Sequence, residues 1–292
     1  MVSTQLATLL FGLTAALAWG ASDFFAAKAS KRNSPETAAI WVSIIGVFTY
    51  AVIYLLNSGN MGWQHVGIAY AVASGICIEL GLYMFYKGLT AGPVSLVSPI
   101  SSAYPLISTL AILLLFNGSL RSLDILGILI VVVGIVTASG IFESKQSERR
   151  ISRGVLFGFT TFILWGFAYA LLSQAVESIG WQKATLIDTF TGLIALLLIL
   201  FFVVGHNLKQ SLDISFLKDR FILITAFTQL FGGIIFAIGL AHSQSPAVIT
   251  AISACYPALT VFLALRHFDE KKQTIPIIGG LVAVAGIIIL SV

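Results

Sequence analysis

Ten long apolar runs, at about 5–28, 37–56, 66–87, 94–116, 123–142, 154–176, 182–204, 219–241, 246–267 and 274–291, follow one another along this chain with short polar connections between them. No other feature limits its folding as strongly. About 20 consecutive apolar residues is the length an α-helix needs to cross the hydrocarbon of a bilayer. These runs lack the alternating ten-residue segments of a membrane β-barrel. Of the 292 residues, 58% are hydrophobic and 10% charged, against roughly 25% charged in a soluble domain. An ordinary water-soluble enzyme is thereby excluded, and the connections are too short to build an extramembrane domain. The first run, Leu6 to Ala27, lacks a basic leader and exceeds a signal peptide's apolar stretch, so it is expected to be a retained span. Cys77 and Cys255 both fall inside apolar runs with no CxxC spacing, and are expected to pack as small hydrophobes.

The chain also repeats itself. At an offset of 152, Ile100-Ser101-Ser102-Ala103-Tyr104-Pro105 falls on Ile252-Ser253-Ala254-Cys255-Tyr256-Pro257, Gly127 falls on Gly279, and Gly134-Ile135 on Gly286-Ile287. Trp19-Gly20 answers Trp165-Gly166 at 146, and Gly88-Leu89 answers Gly239-Leu240 at 151. The clearly polar linker is Glu143-Ser144-Lys145-Gln146-Ser147-Glu148-Arg149-Arg150. The chain therefore divides into a first repeat at 1–142, a linker at 143–152 and a second repeat at 153–292. The expected fold is an all-α integral membrane protein with ten transmembrane helices arranged as two inverted five-helix repeats. Inversion follows from the odd number of helices per copy, and the cations agree with it. Loops 1–2, 3–4, 5–6, 7–8 and 9–10 carry 14 of the 16 Lys and Arg, including Lys28, Lys31, Arg32, Lys87, Lys209, Lys218 and Arg220; the other face carries Arg121 and Lys183. By the positive-inside rule the rich face is cytoplasmic and both termini lie outside. The net charge of +4 forms no basic stripe, so no nucleic-acid partner is expected.

Most of the 12 acidic residues sit in loops or at helix ends. Glu79 does not. It lies eight residues before Lys87, about 12 Å deeper at 1.5 Å per residue, and an acid at that depth marks a functional site unless packing alone explains it. Tyr83 and Tyr86 share its helix face. Such a group could bind a cationic or amine-bearing solute, or carry a coupling proton. Asp23 and Lys28 form a candidate gate near the cytoplasmic end, with a snorkelling lysine and its counter-ion as the alternative. Asp188, near the outer end of its span, is expected to reach the interface. Gln229 stands at roughly the repeat position of Glu79. Spans four and nine carry a matched polar stripe: Ser98, Ser101, Tyr104 and Ser108 recur as Thr250, Ser253, Tyr256 and Thr260. Inverted copies would set these stripes around a midplane cavity, with Pro105 and Pro257 bending each helix. Alternatively the hydroxyls bond to their own backbone one turn back. Gly127/Gly134 and Gly279/Gly286 form small-residue packing seams.

On these residues the chain resembles the drug/metabolite transporter superfamily, specifically its EamA-like ten-helix members. Trp19-Gly20 with Phe24 and Lys28 is similar to that family's Trp-Gly-x-x-Phe-x-x-x-Lys pattern with one extra residue, and Trp165-Gly166-Phe167-Ala168-Tyr169 is similar to its second-copy counterpart. The Gly-Glu before the last helix of each repeat has its counterpart in Asp269-Glu270, whereas Asn117-Gly118 lacks the acid. The resemblance implies transport of small metabolites, amino acids, sugars or drugs, often outward.

The expectation is a secondary transporter in the cell membrane, working by alternating access around a cavity lined by helices 1, 3, 4, 6, 8 and 9. Candidate solute-binding residues are Trp19, Glu79, Tyr83, Ser101, Tyr104, Trp165, Tyr169, Gln229, Ser253 and Tyr256, with Glu79, Asp23 and Lys28 as coupling or gating candidates. Its partners are a small solute and the lipid bilayer. One chain suffices to enclose the cavity, and a homodimer stays open. No cofactor or metal is expected, nor an enzyme. The four histidines sit on different connections, with no HExxH motif and no nucleophile–base spacing. A passive, channel-like facilitator is the alternative, although a filter or ring of charges is missing. The absence of a GxxxxGK[ST] loop argues against an ATP-driven pump.

Overall fold

The structure, a computed structural model, describes residues 2–138, 148–202, 204–205 and 208–268, together with 278, 279, 282, 285, 286 and 289 of the last run. The polar stretch 143–147, Asp269-Glu270 and most of the tenth expected span lie outside the described residues. Every regular element among those described is helical: α1 (Val2–Arg32), α2 (Pro35–Leu56), α3 (His65–Ala91), α4 (Val94–Ser102), α5 (Pro105–Leu115), α6 (Ser122–Ala138), α7 (Glu148–Ile179), α8 (Trp181–Phe202), α9 (Leu208–Ser211), a 3₁₀ turn (Ile214–Lys218), α10 (Arg220–His242), α11 (Pro246–Ser253) and α12 (Pro257–His267). Eight segments are long and apolar enough to cross a membrane, α4–α5 and α11–α12 each counting as one. The 17-residue α6 is about 25 Å long at 1.5 Å per residue, shorter than the roughly 30 Å of hydrocarbon. Against the ten expected spans, the described residues hold eight long spans and one shorter apolar helix.

Local chemistry sets the helix boundaries. Ser34 caps α2 by accepting from Thr37 N at 3.1 Å, with Pro35 at the first helical position. Asp219 caps α10 through Phe221 N at 2.8 Å. The fourth and ninth spans are broken where the sequence places Tyr-Pro. Turns at Ala103–Tyr104 and Ala254–Tyr256 separate α4 from α5 and α11 from α12, because neither proline has an N–H to continue the ladder.

Tertiary packing repeats as faithfully as the sequence. The Trp19 ring sits over Gly232, where a methyl would lie 2.6 Å from its Cδ1, and Trp165 sits over Gly81, where a methyl would lie 2.5 Å away. Trp19 Nε1 donates to Gln229 O at 3.3 Å and Trp165 Nε1 to Ile78 O at 3.2 Å. Gly20 and Gly166 admit the backbone turns at Tyr256 and Tyr104, whose carbonyl oxygens would lie 2.6 Å and 3.3 Å from an added Cβ. Each Trp-Gly pair is therefore a knob and a hollow: the indole fills the space over a glycine of α10 or α3, and the glycine receives the other repeat's broken helix. Exchanging the two repeats maps one set of contacts onto the other. The small-residue seam also forms, since a methyl on Gly286 would meet Gly127 O at 2.9 Å.

Candidate functional site

The two tryptophans are centred on an aromatic layer across the middle of the bundle. Trp19 packs against Phe236 (5.3 Å between centroids) and edge-on to Tyr256 (6.3 Å); Trp165 packs against Phe85 (5.2 Å) and edge-on to Tyr104 (6.1 Å). Tyr169 closes the centre, stacked on Tyr104 at 4.6 Å and tilted against Trp19 at 5.9 Å. At the repeat offset, the residue matching Tyr169 is Asp23. The two copies thus differ at a central position.

On the side of this layer toward loops 2–3, 6–7 and 8–9 lies a cavity of about 80 Å³, several times the 10–15 Å³ or so that one water needs. Its walls come from both repeats: Trp19 of α1; Val42, Ser43, Gly46 and Tyr50 of α2; Ile78, Glu79 and Leu82 of α3; Trp165, Tyr169 and Leu172 of α7; Thr185, Asp188 and Thr189 of α8; and Gln229, Leu230, Gly233 and Phe236 of α10. A wider vestibule of about 650 Å³ lies beyond it at the same end, lined by Asn57, Asn60, Ser173, Glu177, Gln182 and Gln244 among others. The opposite end is tied shut by polar contacts. Arg32 pairs with Asp219 at 3.2 Å, Asn33 donates to Asp219 at 3.0 Å, and Trp41 donates to Ser211 O at 2.8 Å. Asp219 lies just outside its span. Its partial burial would raise its pKa, but Asn33, the Phe221 N–H and Arg32 outweigh this and hold the carboxyl below its ordinary value.

Glu79 and Asp188 are both buried, at 4% and 5% exposure, and both line the cavity. Ser43 Oγ lies 2.6 Å from Glu79 Oε2 and 2.8 Å from Ala39 O. One hydroxyl proton cannot serve both acceptors. A carboxylate at 79 takes the Ser43 proton, whereas a carboxylic acid donates its own and leaves that proton for Ala39, so the pocket accommodates either state. Gly192, one turn beyond Asp188, receives the Glu79 Cγ closely, and α3 and α8 meet where Gly75 faces the Asp188 carbonyl. Asp188 Oδ1 is buried with no hydrogen-bond partner.

A family model for the EamA-like transporter family matches residues 6–140 and 152–292. The chain belongs to the EamA-like transporter family. This membership agrees with the two-repeat layout of the fold and makes the protein a multi-span membrane transporter. An uncharacterized protein of Methanocaldococcus jannaschii is 28% identical over 131 residues, which is 45% of this chain and 95% of that protein. That relative's length is thus close to one repeat of this EamA-like chain. A solved crystal structure matches 97% of this chain and 94% of its own at a TM-score of 0.69 and 15% identity, a likeness of fold.

Of the residues singled out in the sequence, Trp19, Glu79, Trp165, Tyr169 and Gln229 meet at the cavity. Ser101, Tyr104, Ser253 and Tyr256 do not line it. Tyr104 Oη faces Ser253 Oγ at 3.5 Å, while Ser101 and Ser253 donate to Ser98 O and Thr250 O at 2.9 Å each. The stripes face each other across a packed layer and bond largely to their own backbone. Helices 4 and 9 accordingly give way to helices 2 and 7 in the cavity wall, a correction to the expected lining. Tyr83 turns away and donates to Glu36 at 3.0 Å. Asp23 and Lys28 do not pair. Asp23 Oδ2 accepts from Ser98 at 2.6 Å and Thr260 at 3.3 Å, on the far side of the aromatic layer. Lys28 Nζ lies 4.3 Å from the centroid of the Phe24 ring. Gln229 matches Ile78 in the structural register, with Leu230 at the Glu79 position, so the acid belongs to one repeat. Asp188 is the main surprise: covered by α3, it is a wall residue and does not reach the interface. Its signal was available in Thr185, Asp188 and Gly192, spaced 3 and 4 along one helix face. Among the described residues, no group of three or more His, Cys, Asp and Glu side chains could hold a metal.

Proposed function

We propose that this protein is a secondary transporter that carries a small organic solute by alternating access around the Glu79 cavity, with export as the expected direction. The observation that carries this reading is a cavity walled by both repeats and holding two buried acids, since buried ionisable groups within a membrane span mark a transport pathway and inverted-repeat transporters bind at the repeat interface. Repeats at 1–142 and 153–292 related by inversion, ten crossings, and both termini outside the cell membrane complete the proposed layout. The vestibule beyond the cavity supports a state open toward the cation-poor, outer face, with the aromatic layer and the Asp219 contacts closing the cytoplasmic side. A proton is the proposed driving ion, carried at Glu79, where Ser43 accommodates both protonation states. One chain encloses the pathway.

Flux in proteoliposomes tests this. A growth screen of overexpressing cells against amino acids, metabolites and toxic analogues supplies the solutes, and purified protein is then assayed with Glu79→Gln and Trp19→Ala. Saturable flux that is lost in both variants is expected. If no hit from the screen is moved by purified protein, transport is refuted; if Glu79→Gln keeps both rate and pH dependence, proton coupling at Glu79 is refuted.

A further inference from the structure

We propose that the cavity selects small organic cations, with Glu79 and Asp188 supplying negative charge and the rings of Trp19, Tyr50, Trp165 and Tyr169 supplying π surface. This deepens the transport reading and rests on it for the purpose of the cavity, but cation binding can be measured without transport.

Four observations converge. First, two carboxyl groups line one cavity, from α3 and α8, whereas none of the lining residues is Lys, Arg or His. An anion finds no countercharge there. Second, Asp188 is more than nine-tenths buried and its Oδ1 accepts no hydrogen bond, the neighbouring Ser74 hydroxyl donating to Ala168 O at 3.0 Å. An unsatisfied buried acceptor is costly, and a cation in the cavity would satisfy it. Third, the indole N–H groups of Trp19 and Trp165 are committed to Gln229 O and Ile78 O. What the indoles offer the cavity is therefore ring surface, which attracts cations through its quadrupole. Fourth, the acids are kept apart from the chain's own cations. Lys183, one to two turns before Asp188 on α8 and itself buried, turns toward loop 57–61 and donates to Ser58 O and Met61 O at 2.9 and 2.7 Å, holding that loop instead of neutralising the site. The cavity is small, which suits a compact ammonium or guanidinium group, while the vestibule gives room for the remainder of a longer solute.

Choline is the first probe, because an uncharged isostere, 3,3-dimethyl-1-butanol, and a zwitterion, betaine, differ from it by charge more than by shape. Guanidinium and ethylammonium extend the panel. Binding to detergent-solubilised full-length protein is read by tryptophan fluorescence and calorimetry. At least one of the three cations should saturate, with the uncharged isostere and betaine at least tenfold weaker than choline where choline is the ligand. Glu79→Gln and Asp188→Asn should each weaken cation binding tenfold or more, Glu79→Asp should recover part of it, and Asp124→Asn, which breaks the peripheral pair with Arg121, should leave it unchanged. Helix content and gel-filtration profile establish that each variant is folded. If none of the cations saturates, if the isostere binds as well as choline, or if folded Glu79→Gln and Asp188→Asn bind like the wild type, the proposal is overturned. Cation binding without flux in proteoliposomes would sink the transport reading and leave this one standing. Saturable flux of a neutral or anionic solute, unaffected by the cations, would do the reverse.

Discussion

The seat of Trp165 on Gly81 is a close contact between the two repeats, and a single methyl probes it. In Gly81→Ala the new Cβ would stand 2.5 Å from Trp165 Cδ1 and 2.6 Å from Nε1, whereas carbon atoms rest at about 3.5–4.0 Å. The indole must retreat by about 1 Å, and it is a rigid ring with little freedom to do so. Overpacking of this kind costs about 1–3 kcal/mol. The retreat also stretches the 3.2 Å bond from Trp165 Nε1 to Ile78 O, worth about 1 kcal/mol. Alanine's better helix propensity returns about 1 kcal/mol. The net is a loss of about 1–3 kcal/mol, or a fall in thermal midpoint of roughly 2–12 °C at about 2–4 °C per kcal/mol. Thermal unfolding in detergent measures it, and Gly232→Ala should behave alike because Trp19 meets Gly232 in the same way. In a Trp165→Phe background most of the Gly81→Ala penalty should vanish, a coupling of about 1 kcal/mol or more. If Gly81→Ala is neutral or stabilising, or carries the same penalty in both backgrounds, the knob-and-hollow account of the Trp-Gly pairs is wrong.

Three further outcomes follow from the same geometry. Lys183→Met removes the donors that hold Ser58 O and Met61 O, and should cost about 1–3 kcal/mol and speed proteolysis within 57–61. The Asp219 carboxyl, held below its ordinary value, stabilises the fold at pH values above about 4, and that contribution is lost as pH falls through the lowered folded-state value. Asp219→Asn should therefore lower the thermal midpoint at pH 7 and flatten its decline in acid, and an unchanged acid profile would remove Asp219 from the contacts that close this end of the bundle. Ser43→Ala leaves Glu79 Oε2 without its 2.6 Å donor, and should shift the pH dependence of flux more than it changes stability.

Much of the fold was legible because membrane helices write themselves plainly. Long apolar runs give the spans, and Tyr-Pro at 104–105 and 256–257 gives the two breaks. Trp19-Gly20 and Trp165-Gly166 were visible as a repeated pair, but what they touch was not, since Gly81 and Gly232 lie on helices distant in sequence. Glu79 stood out through depth alone. Asp188 was hidden because distance from a helix end measures depth in a straight, lipid-facing helix, whereas α8 is covered over its first turns by α3 and loop 57–61. The polar stripes misled for a different reason. Hydroxyls at spacing 3, 3 and 4 share a face, yet a shared face does not say whether a space or a neighbouring helix lies opposite. Here the stripes meet each other through Tyr104 and Ser253, and the open space lies beyond Tyr169.

The central claim is that one cavity faces the two sides of the membrane in turn, and the reactivity of a cysteine at Thr189, a wall residue, tests it most directly. With Cys77 and Cys255 replaced by alanine, Thr189→Cys is exposed to a membrane-impermeant thiol reagent added to one face at a time, in the presence and absence of a transported solute. The account predicts reaction from both faces, with conditions that speed labelling from one side slowing it from the other. Labelling from one face alone under every condition, or rates that rise together on both faces as in an open pore, would contradict it.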